Sequence, residues 1–469
     1  MTDTKSDPET DVKAEAKAAP HRDLDFAELI ARLDTEHVAD AVEVINELSP
    51  DYAAELLVLL PRPTAVQILD TPELDFGAEI IEAMPRDVAA SMLAEMSSDM
   101  AADLVHLIDE PVRGELMARL DPATRTTIAG LLAYPDNTAG AMMTTEFVSV
   151  PRNWTVAQTM QHIRQVERTR ETVYAIYVLD TQTRRLVGAV TLRRLIAGEP
   201  DANIMTVAAS TSPITTSPLV DREDVARLTT KYNLLAVPVV DKSGHVLGIV
   251  TVDDIIDAII EETTEDVQKF GGMEATDEPY MQIGMGAMLR KRGGWLGLLF
   301  LSEMLTASVM QYFEGELEKA IVLTLFIPLI MSSGGNSGSQ ATSLLIRALA
   351  LREVKLGDWW RVALRELPTG LILGASLGVI GFARVMLWQK LGIYDYGEHW
   401  LLVGATVAGA LIGVVTFGSV VGSMLPFILQ KVGFDPASAS APFVATLVDV
   451  TGLMIYFSVA LLFLRGALL

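Results

Sequence analysis

Residues 441–463 read APFVATLVDVTGLMIYFSVALLF, and Asp449 is the single carboxylate in this apolar run, with no Lys or Arg near it on the same segment. An ionised side chain inside a bilayer costs roughly 2.5–3.5 kcal/mol even on translocon scales, so an intramembrane acid is a functional candidate by default. No basic partner is in reach along the segment, so the missing charge is best supplied by a cation. Glu303, in an earlier apolar segment, raises the same question, with pairing to a polar group of another helix such as Arg384 as the alternative. Residues 332–340, SSGGNSGSQ, place three glycines, Asn336, Gln340 and a row of hydroxyls in surroundings where lipid favours Leu and Val. Irregular backbone at such depth survives only inside protein or along a water-filled cavity, so Pro328 and this run predict a break lining a pathway. Close helix packing through small residues would explain the glycines, but Asn336 and Gln340 less readily.

A second set of carboxylates lies outside the apolar segments. The stretch DDIIDAIIEETTEDVQKFGGM sets Ile255, Ile256, Ile259 and Ile260 against acids at 253, 254, 257, 261, 262, 265 and 266, an apolar stripe and a strongly acidic face on one helix. Asp99 and Asp103 in SSDMAADLV are four apart and share a helix face. Such faces are ordinarily solvated surface, but the first stands directly before an apolar region. Cysteine is absent, which excludes disulfides, thiolate metal sites and cysteine nucleophiles. None of the six histidines (21, 37, 106, 162, 245 and 399) opens an H-E-x-x-H motif, which argues against an intramembrane metalloprotease and for a non-enzymatic protein.

The charge of the chain is divided along its length. Net charge is −24, from 60 acidic and 36 basic side chains; 11 and 13 of these follow Met281, leaving 49 acids and 23 bases before it. An acidic first part and a nearly neutral apolar second part describe a cytosolic region joined to a membrane region, and the acidity speaks against nucleic acid as a partner. Residues 1–22 are acidic with no apolar core, so they read as a disordered tail and not as a signal peptide.

In residues 23–141, Leu48, Leu60, Met84, Met96, Ile108 and Leu120 recur at multiples of twelve, followed by SPD, PRP, PRD, SSD, DEP and DPA. Twelve residues hold about two helical turns and a connection with Pro or an Asp/Ser N-cap, which predicts short helices stacked as an α-superhelix. Residues 142–259 contain a duplication: TVYAIYVLDTQTRRLVGAVTLRRLI and NLLAVPVVDKSGHVLGIVTVDDII, with Asp180 and Asp241 61 apart and Gly188 and Gly248 60 apart. Each copy reads strand, turn, strand, helix. Residues 260–285 continue the acidic helix, and 286–469 hold five apolar segments, near 293–313, 320–349, 367–388, 400–430 and 441–464, each able to span about 30 Å of hydrocarbon. Five spans put the termini on opposite sides. Arg290, Lys291 and Arg292, the five basic residues from Arg347 to Arg365, and Lys431 outnumber Lys319 and Lys390 of the other loops, so the N-terminal part is expected in the cytoplasm and the C-terminus outside a plasma or inner membrane.

The duplicated α/β unit resembles a tandem CBS pair. Its T-x-x-D motif, which in such modules binds the ribose of an adenine nucleotide, is kept in the second copy as Thr251 and Asp254, whereas the first has Thr191 and Arg194. At most one ATP-type site is then intact, and a purely structural pair is the equal alternative. The whole order, with GGNSGSQ and PFVATLVDVTGLMIYFS, closely resembles the MgtE family of magnesium channels. The resemblance implies a multidomain membrane protein: α-superhelical N domain, CBS pair, connecting plug helix and five-helix all-α transmembrane domain in lipid. It also implies a homodimer whose pore follows the two-fold axis, with Asp449, the carbonyl of Ala445 and Asn336 along the Mg²⁺ pathway. Cytosolic Mg²⁺ is implied to close the pore by bridging Asp99, Asp103, Glu223, Thr230, Asp254, Asp257, Glu262, Glu265, Asp266 and Asp435. Gln67 and Asn233 stand where the pattern leads one to expect acids, and Ala441 where it leads one to expect Asn. A secondary transporter coupled to H⁺ or Na⁺, with Asp449 or Glu303 relaying a proton, is the competing reading.

Overall fold

The computed structural model describes residues 26–167, 170–208, 212–276, 280–281 and 283–467; the acidic tail at 1–22 lies outside them. The chain packs as two compact units, Met1–Ile260 and Glu261–Leu469.

The first unit opens with nine short helices: α1 (Phe26–Leu33), α2 (Val38–Asn46), α3 (Pro50–Leu59), α4 (Arg62–Leu69), α5 (Gly77–Ala83), α6 (Arg86–Leu93), α7 (Ser98–Leu107), α8 (Glu110–Arg119) and α9 (Pro122–Leu131). Each packs on the helix two further along, from α1 on α3 to α7 on α9, and that is an α-superhelix. The twelve-residue rhythm marks its joints. Leu48, Leu60, Met84, Met96, Ile108 and Leu120 are all buried, and the residue after each is an N-cap: Ser49, Pro61, Pro85, Ser97, Asp109 and Asp121. Of these only Asp121 caps with its side chain, accepting from Ala123 and Thr124 N–H. Elsewhere proline in the first turn does part of the work, since its missing N–H leaves one orphan donor fewer. The Ser97 hydroxyl is diverted, donating to Asp70 Oδ1 at 2.7 Å.

The duplication folds twice over. In the first copy β1 (Val148–Pro151) runs parallel to β2 (Ala175–Leu179), which is antiparallel to β3 (Leu186–Thr191); α10 (Val156–Val166), α11 (Leu192–Ala197) and α12 (Ile204–Val207) complete it. In the second, α13 (Arg222–Tyr232) leads to the antiparallel pair β4 (Ala236–Val240) and β5 (Val246–Thr251), with a parallel bridge from Thr216 to Val239 in the place of β1. Both hairpins slip register at the same point, at Val178/Leu179 and at Val239/Val240, and there Gly188 and Gly248 face Val178 and Val239. A Cβ on Gly248 would come within 2.6 Å of the Thr144 carbonyl, so the glycine is required by close backbone approach. The acidic run forms α14 (Val252–Phe270), a single 19-residue helix that starts on β5 and continues past the CBS-like unit without interruption. Of its apolar stripe only Ile255 is buried; Ile256, Ile259 and Ile260 are exposed.

In the second unit, α15 (Met285–Tyr312), α16 (Glu314–Lys319), a 3₁₀ segment (Ile321–Phe326), α17 (Ile327–Ala350), α18 (Trp359–Leu391), α19 (Trp400–Val432) and α20 (Ala441–Leu464) provide five stretches long and apolar enough to cross a membrane. One expectation fails. SSGGNSGSQ is not a break: residues 332–340 lie inside the continuous helix α17, and Pro328 sits in its first turn, where proline is tolerated. The glycines serve packing. Gly418 and Gly422 of α19 lie so close to the backbone of Gly334 and Gly338 that a Cβ on either would strike a carbonyl of α17. The hydroxyls work between the same two helices, Ser337 Oγ meeting Ser419 Oγ at 2.7 Å and Thr342 Oγ1 donating to the Gly422 carbonyl at 2.8 Å.

Candidate functional site

Asp449 projects from the middle of α20 and is half-buried. Ala445 lies one turn earlier, at the crossing with α17, where a Cβ on Gly335 would stand 3.4 Å from the Ala445 Cβ. Asn336, next along α17, is exposed and reaches only Ser332 Oγ, at a long 3.5 Å. The crossing of α17 and α20 thus sets Asp449 and Ala445 on consecutive turns of one helix and an unburied carboxamide on the other. Among the described residues no hydrogen bond or ion pair reaches Asp449. The charge that acts on it is a second acid, Glu303 of α15. Arg384 does not neutralise Glu303: its guanidinium lies over the rings of Phe326, at 5.7 Å, and Trp388, at 5.2 Å. Two acids of like charge, one half-buried, make a place that favours a cation.

In the first unit the acids gather between the superhelix and the CBS-like pair. Asp99, in the first turn of α7, is 7 % exposed, and its Oδ1 has no hydrogen-bond partner. Burial pushes its carboxyl well above the ordinary carboxylate range, and the charges of Asp254 and Glu171 push it further. Neighbouring Ser98 anchors α7, its Oγ accepting from Thr145 N–H at 3.0 Å. Asp254 is also raised by burial, although its Oδ2 accepts from Thr251 N–H at 3.0 Å and from the Thr251 hydroxyl. Asp103, one turn beyond Asp99, is exposed. Thr251 and Asp254 therefore serve each other and face Asp99. The polar cavity of the first copy, about 570 Å³ and lined by Arg152, Asp180 and Asn203 among others, is lined by neither of them. In that first copy the Thr191 hydroxyl caps Arg194 N–H.

Three further acids of this cluster carried no sequence signal: Asp70, Glu146 and Glu171. Burial raises Asp70, despite its bonds from Ser97, and raises Glu146, with the charge of Asp70 adding to it. Glu171 is pushed up to about 7, by burial first and then by Asp70 and Asp254. Asp70 is three residues past Gln67, an exposed residue of α4, so an acid is still present one turn from the position where the pattern lacks one. Asn233 is the left-handed C-cap of α13 (φ 50°), a conformation that asparagine tolerates well.

The remaining candidates are dispersed. Glu223 and Thr230 lie two turns apart on α13, the Thr230 hydroxyl donating to the Ala226 carbonyl. Asp257, Glu262, Glu265 and Asp266 follow Asp254 along α14. Asp435 caps the turn before α20, accepting from Ala437 N–H at 2.8 Å, and its Oδ2 lies 2.6 Å from Lys269 Nζ, which also pairs with Glu265. Among the described residues no three Asp, Glu or His side chains converge into a metal cage.

Comparison with known proteins covers both units. A family model described as "Divalent cation transporter" matches residues 327–459, the MgtE intracellular N domain matches 36–137, and CBS domains match 139–199 and 204–261. The chain is 40 % identical over 347 residues to "Magnesium transporter MgtE" of Thermus thermophilus, covering 74 % of each chain, and 38 % identical over 338 residues to the protein of that name from Enterococcus faecalis, covering 72 % of each. The solved cytosolic domain of the Mg²⁺ channel MgtE in complex with ATP superimposes with a TM-score of 0.47 at 32 % identity, covering 50 % of this chain and 95 % of that one. With family models matching the superhelix, the CBS pair and the apolar helices in turn, and with five helices long and apolar enough to span, the chain is a multi-pass membrane protein that belongs to the MgtE family of divalent cation transporters.

Proposed function

We propose that this protein carries Mg²⁺ across the plasma or inner membrane into the cytoplasm through a pore lined by Asp449, Ala445 and Asn336, and that cytosolic Mg²⁺ closes it. The observation that carries the reading is Asp449: a carboxylate at mid-helix in an apolar segment, with no basic partner among the described residues and with the charge of Glu303 acting on it. Mg²⁺ sheds water reluctantly, so a ring of carboxylates and carbonyls that leaves most of the hydration shell in place binds the ion and still releases it. One Asp449 per chain gives a single negative charge at this level; a homodimer with the pore on its two-fold axis supplies two. The basic residues flanking the spans favour a cytoplasmic first unit and a C-terminus outside.

Closure rests on the other acids. Asp99, Asp103, Glu223, Thr230, Asp254, Asp257, Glu262, Glu265, Asp266 and Asp435 are the ligand positions of the reading, and the burial of Asp99 against Asp254 and Glu171 supports its first part. Buried like charges repel, and an ion that binds the compact arrangement stabilises it by linkage. Thr251 and Asp254 carry a second use, an ATP-type site in the CBS pair.

The two intramembrane acids Glu303 and Asp449 favour one competing mechanism, an ion-coupled divalent-metal transporter in which either relays a proton. Currents from reconstituted protein separate the two. A channel passes Mg²⁺ unchanged when H⁺ and Na⁺ gradients are abolished, and Asp449→Asn loses the current while the protein stays assembled. Transport that stops with the gradients would make the protein a coupled carrier, and wild-type flux in Asp449→Asn would remove this residue from the pathway.

A further inference from the structure

Glu265 and Asp435 were expected to hold a divalent ion, yet the structure joins them through a side chain. Lys269, one turn beyond Glu265 on α14, places its ammonium 2.6 Å from Asp435 Oδ2 and in contact with Glu265. All three side chains are about one-third exposed or less, at 26, 31 and 36 % for Lys269, Glu265 and Asp435, so solvent screens them only in part. Burial works against the charge of Lys269, but the two carboxylates overcome it and hold the ammonium above the ordinary lysine range.

Further contacts between protein groups surround this ion triad. The Gln268 carboxamide grips the backbone of Thr276, accepting from its N–H at 2.7 Å and donating to its carbonyl at 3.1 Å. Lys291 Nζ of α15 donates to the Ala275 carbonyl at 2.8 Å. Gly272, at φ +75°, lies against the start of α20, where a Cβ would stand 3.2 Å from Pro442 and 3.4 Å from Ser440 Oγ. The C-terminal end of α14 is thus seated on the turn that leads into the Asp449 helix by contacts between protein groups.

We propose that Lys269 is a built-in cation that occupies the Glu265–Asp435 position in place of a divalent ion, so that this seam is closed independently of magnesium. The inference deepens the gating reading: regulatory divalent ions then act at the acids nearer the start of α14 and in the Asp99 cluster, and the count of cytosolic ions falls by the one the lysine replaces. An ammonium on a four-carbon stem pairs with both carboxylates but cannot leave, whereas a hydrated Mg²⁺ ion comes and goes with its concentration.

Hydrogen exchange of the full chain in detergent, with chelator and with Mg²⁺, tests this. In the wild type the amides of residues 268–276 and 437–440 should exchange at rates that differ by less than about twofold between the two conditions, while Lys269→Met should exchange there about tenfold faster in chelator and recover with Mg²⁺. Lys269→Arg should behave as wild type. Asp435→Asn should lose protection in chelator and should not recover, because one of the two carboxylates is gone. Chelator-sensitive protection in the wild type, wild-type protection in Lys269→Met, or a Lys269→Met protein that Mg²⁺ fails to restore would each overturn the assignment. Residues 98–103 in the same experiment report the Asp99 cluster, so a gating reading that fails there is told apart from a lysine assignment that fails here.

Discussion

Asp99 and Glu171 show what burial does to an acid that forms no ion pair among the described residues. Asp99 Oδ1 has no hydrogen-bond partner and Glu171 is pushed up to about 7, so the folded first unit carries repulsion that the unfolded chain does not. The sign follows from linkage. An acid raised in the fold binds its proton more tightly there, so its protonated form favours the fold and stability falls as pH rises from the ordinary carboxylate range towards 7. The full protein in chelator should therefore have a higher melting temperature at pH 5.5 than at pH 8, and Mg²⁺ should narrow the gap by supplying the missing positive charge; a melting temperature flat across this range would contradict the assigned environment. Asp99→Asn should raise the melting temperature in chelator by about 2–4 °C for each kcal/mol of repulsion relieved, and should blunt the rise that Mg²⁺ causes in the wild type. A mutant that melts lower in chelator and keeps the full Mg²⁺ response would mean that Asp99 serves packing only.

At the scale of elements, the packing of α17 against α19 makes the sharpest demand on sequence. A side chain at Gly422 would strike the Gly338 backbone, while Gly293 on α15 has open space around it. Gly422→Val should cost about 1–3 kcal/mol as overpacking and lower the yield of monodisperse protein in size-exclusion chromatography, whereas Gly293→Ala should leave it unchanged. Equal behaviour of the two variants would count against the close approach. This pair of helices also shows where sequence reading failed. SSGGNSGSQ looked like a break because Gly and Ser disfavour an isolated helix; the partner stripe of Gly418 and Gly422 lies 80 residues away, and nothing local announces that the two fit. The same limit applies to the acids. Asp449 was legible because one carboxylate among apolar residues stands out, but Asp70, Glu146 and Glu171 are ordinary acids in a chain rich in them and gain meaning only when the fold buries them together. Lys269 was hidden for the same reason, since its partner Asp435 is 166 residues away. The superhelix and the duplication were legible because each repeats a local rule, a buried residue before each cap in one and a bulge and glycine in the same register in the other.

For the whole molecule, the acidic first half and the apolar second half divide regulation from conduction in the proposed mechanism. Removing residues 1–130 should leave a conducting protein with weakened inhibition by magnesium, because Asp449, Ala445 and Asn336 all lie after Met281; a truncated protein that stays folded but passes no Mg²⁺ would make the superhelix part of the pathway. Neutralising Asp254, Asp257 and Glu262 together should make protease protection of the linkers insensitive to Mg²⁺, since repulsion and ligands are lost at once. Two unit charges 4 Å apart repel by roughly 4 kcal/mol at an effective dielectric of 20, before salt screening. A few such contacts are enough for the roughly 5.5 kcal/mol that swings a two-state equilibrium from 1:99 to 99:1. The most direct test of this account is single-channel recording from reconstituted full-length protein while Mg²⁺ on the cytosolic face is varied. Discrete Mg²⁺ openings are expected, their probability falling as cytosolic Mg²⁺ rises, in the absence of any H⁺ or Na⁺ gradient; openings that ignore cytosolic Mg²⁺ would contradict a channel closed by its own ion.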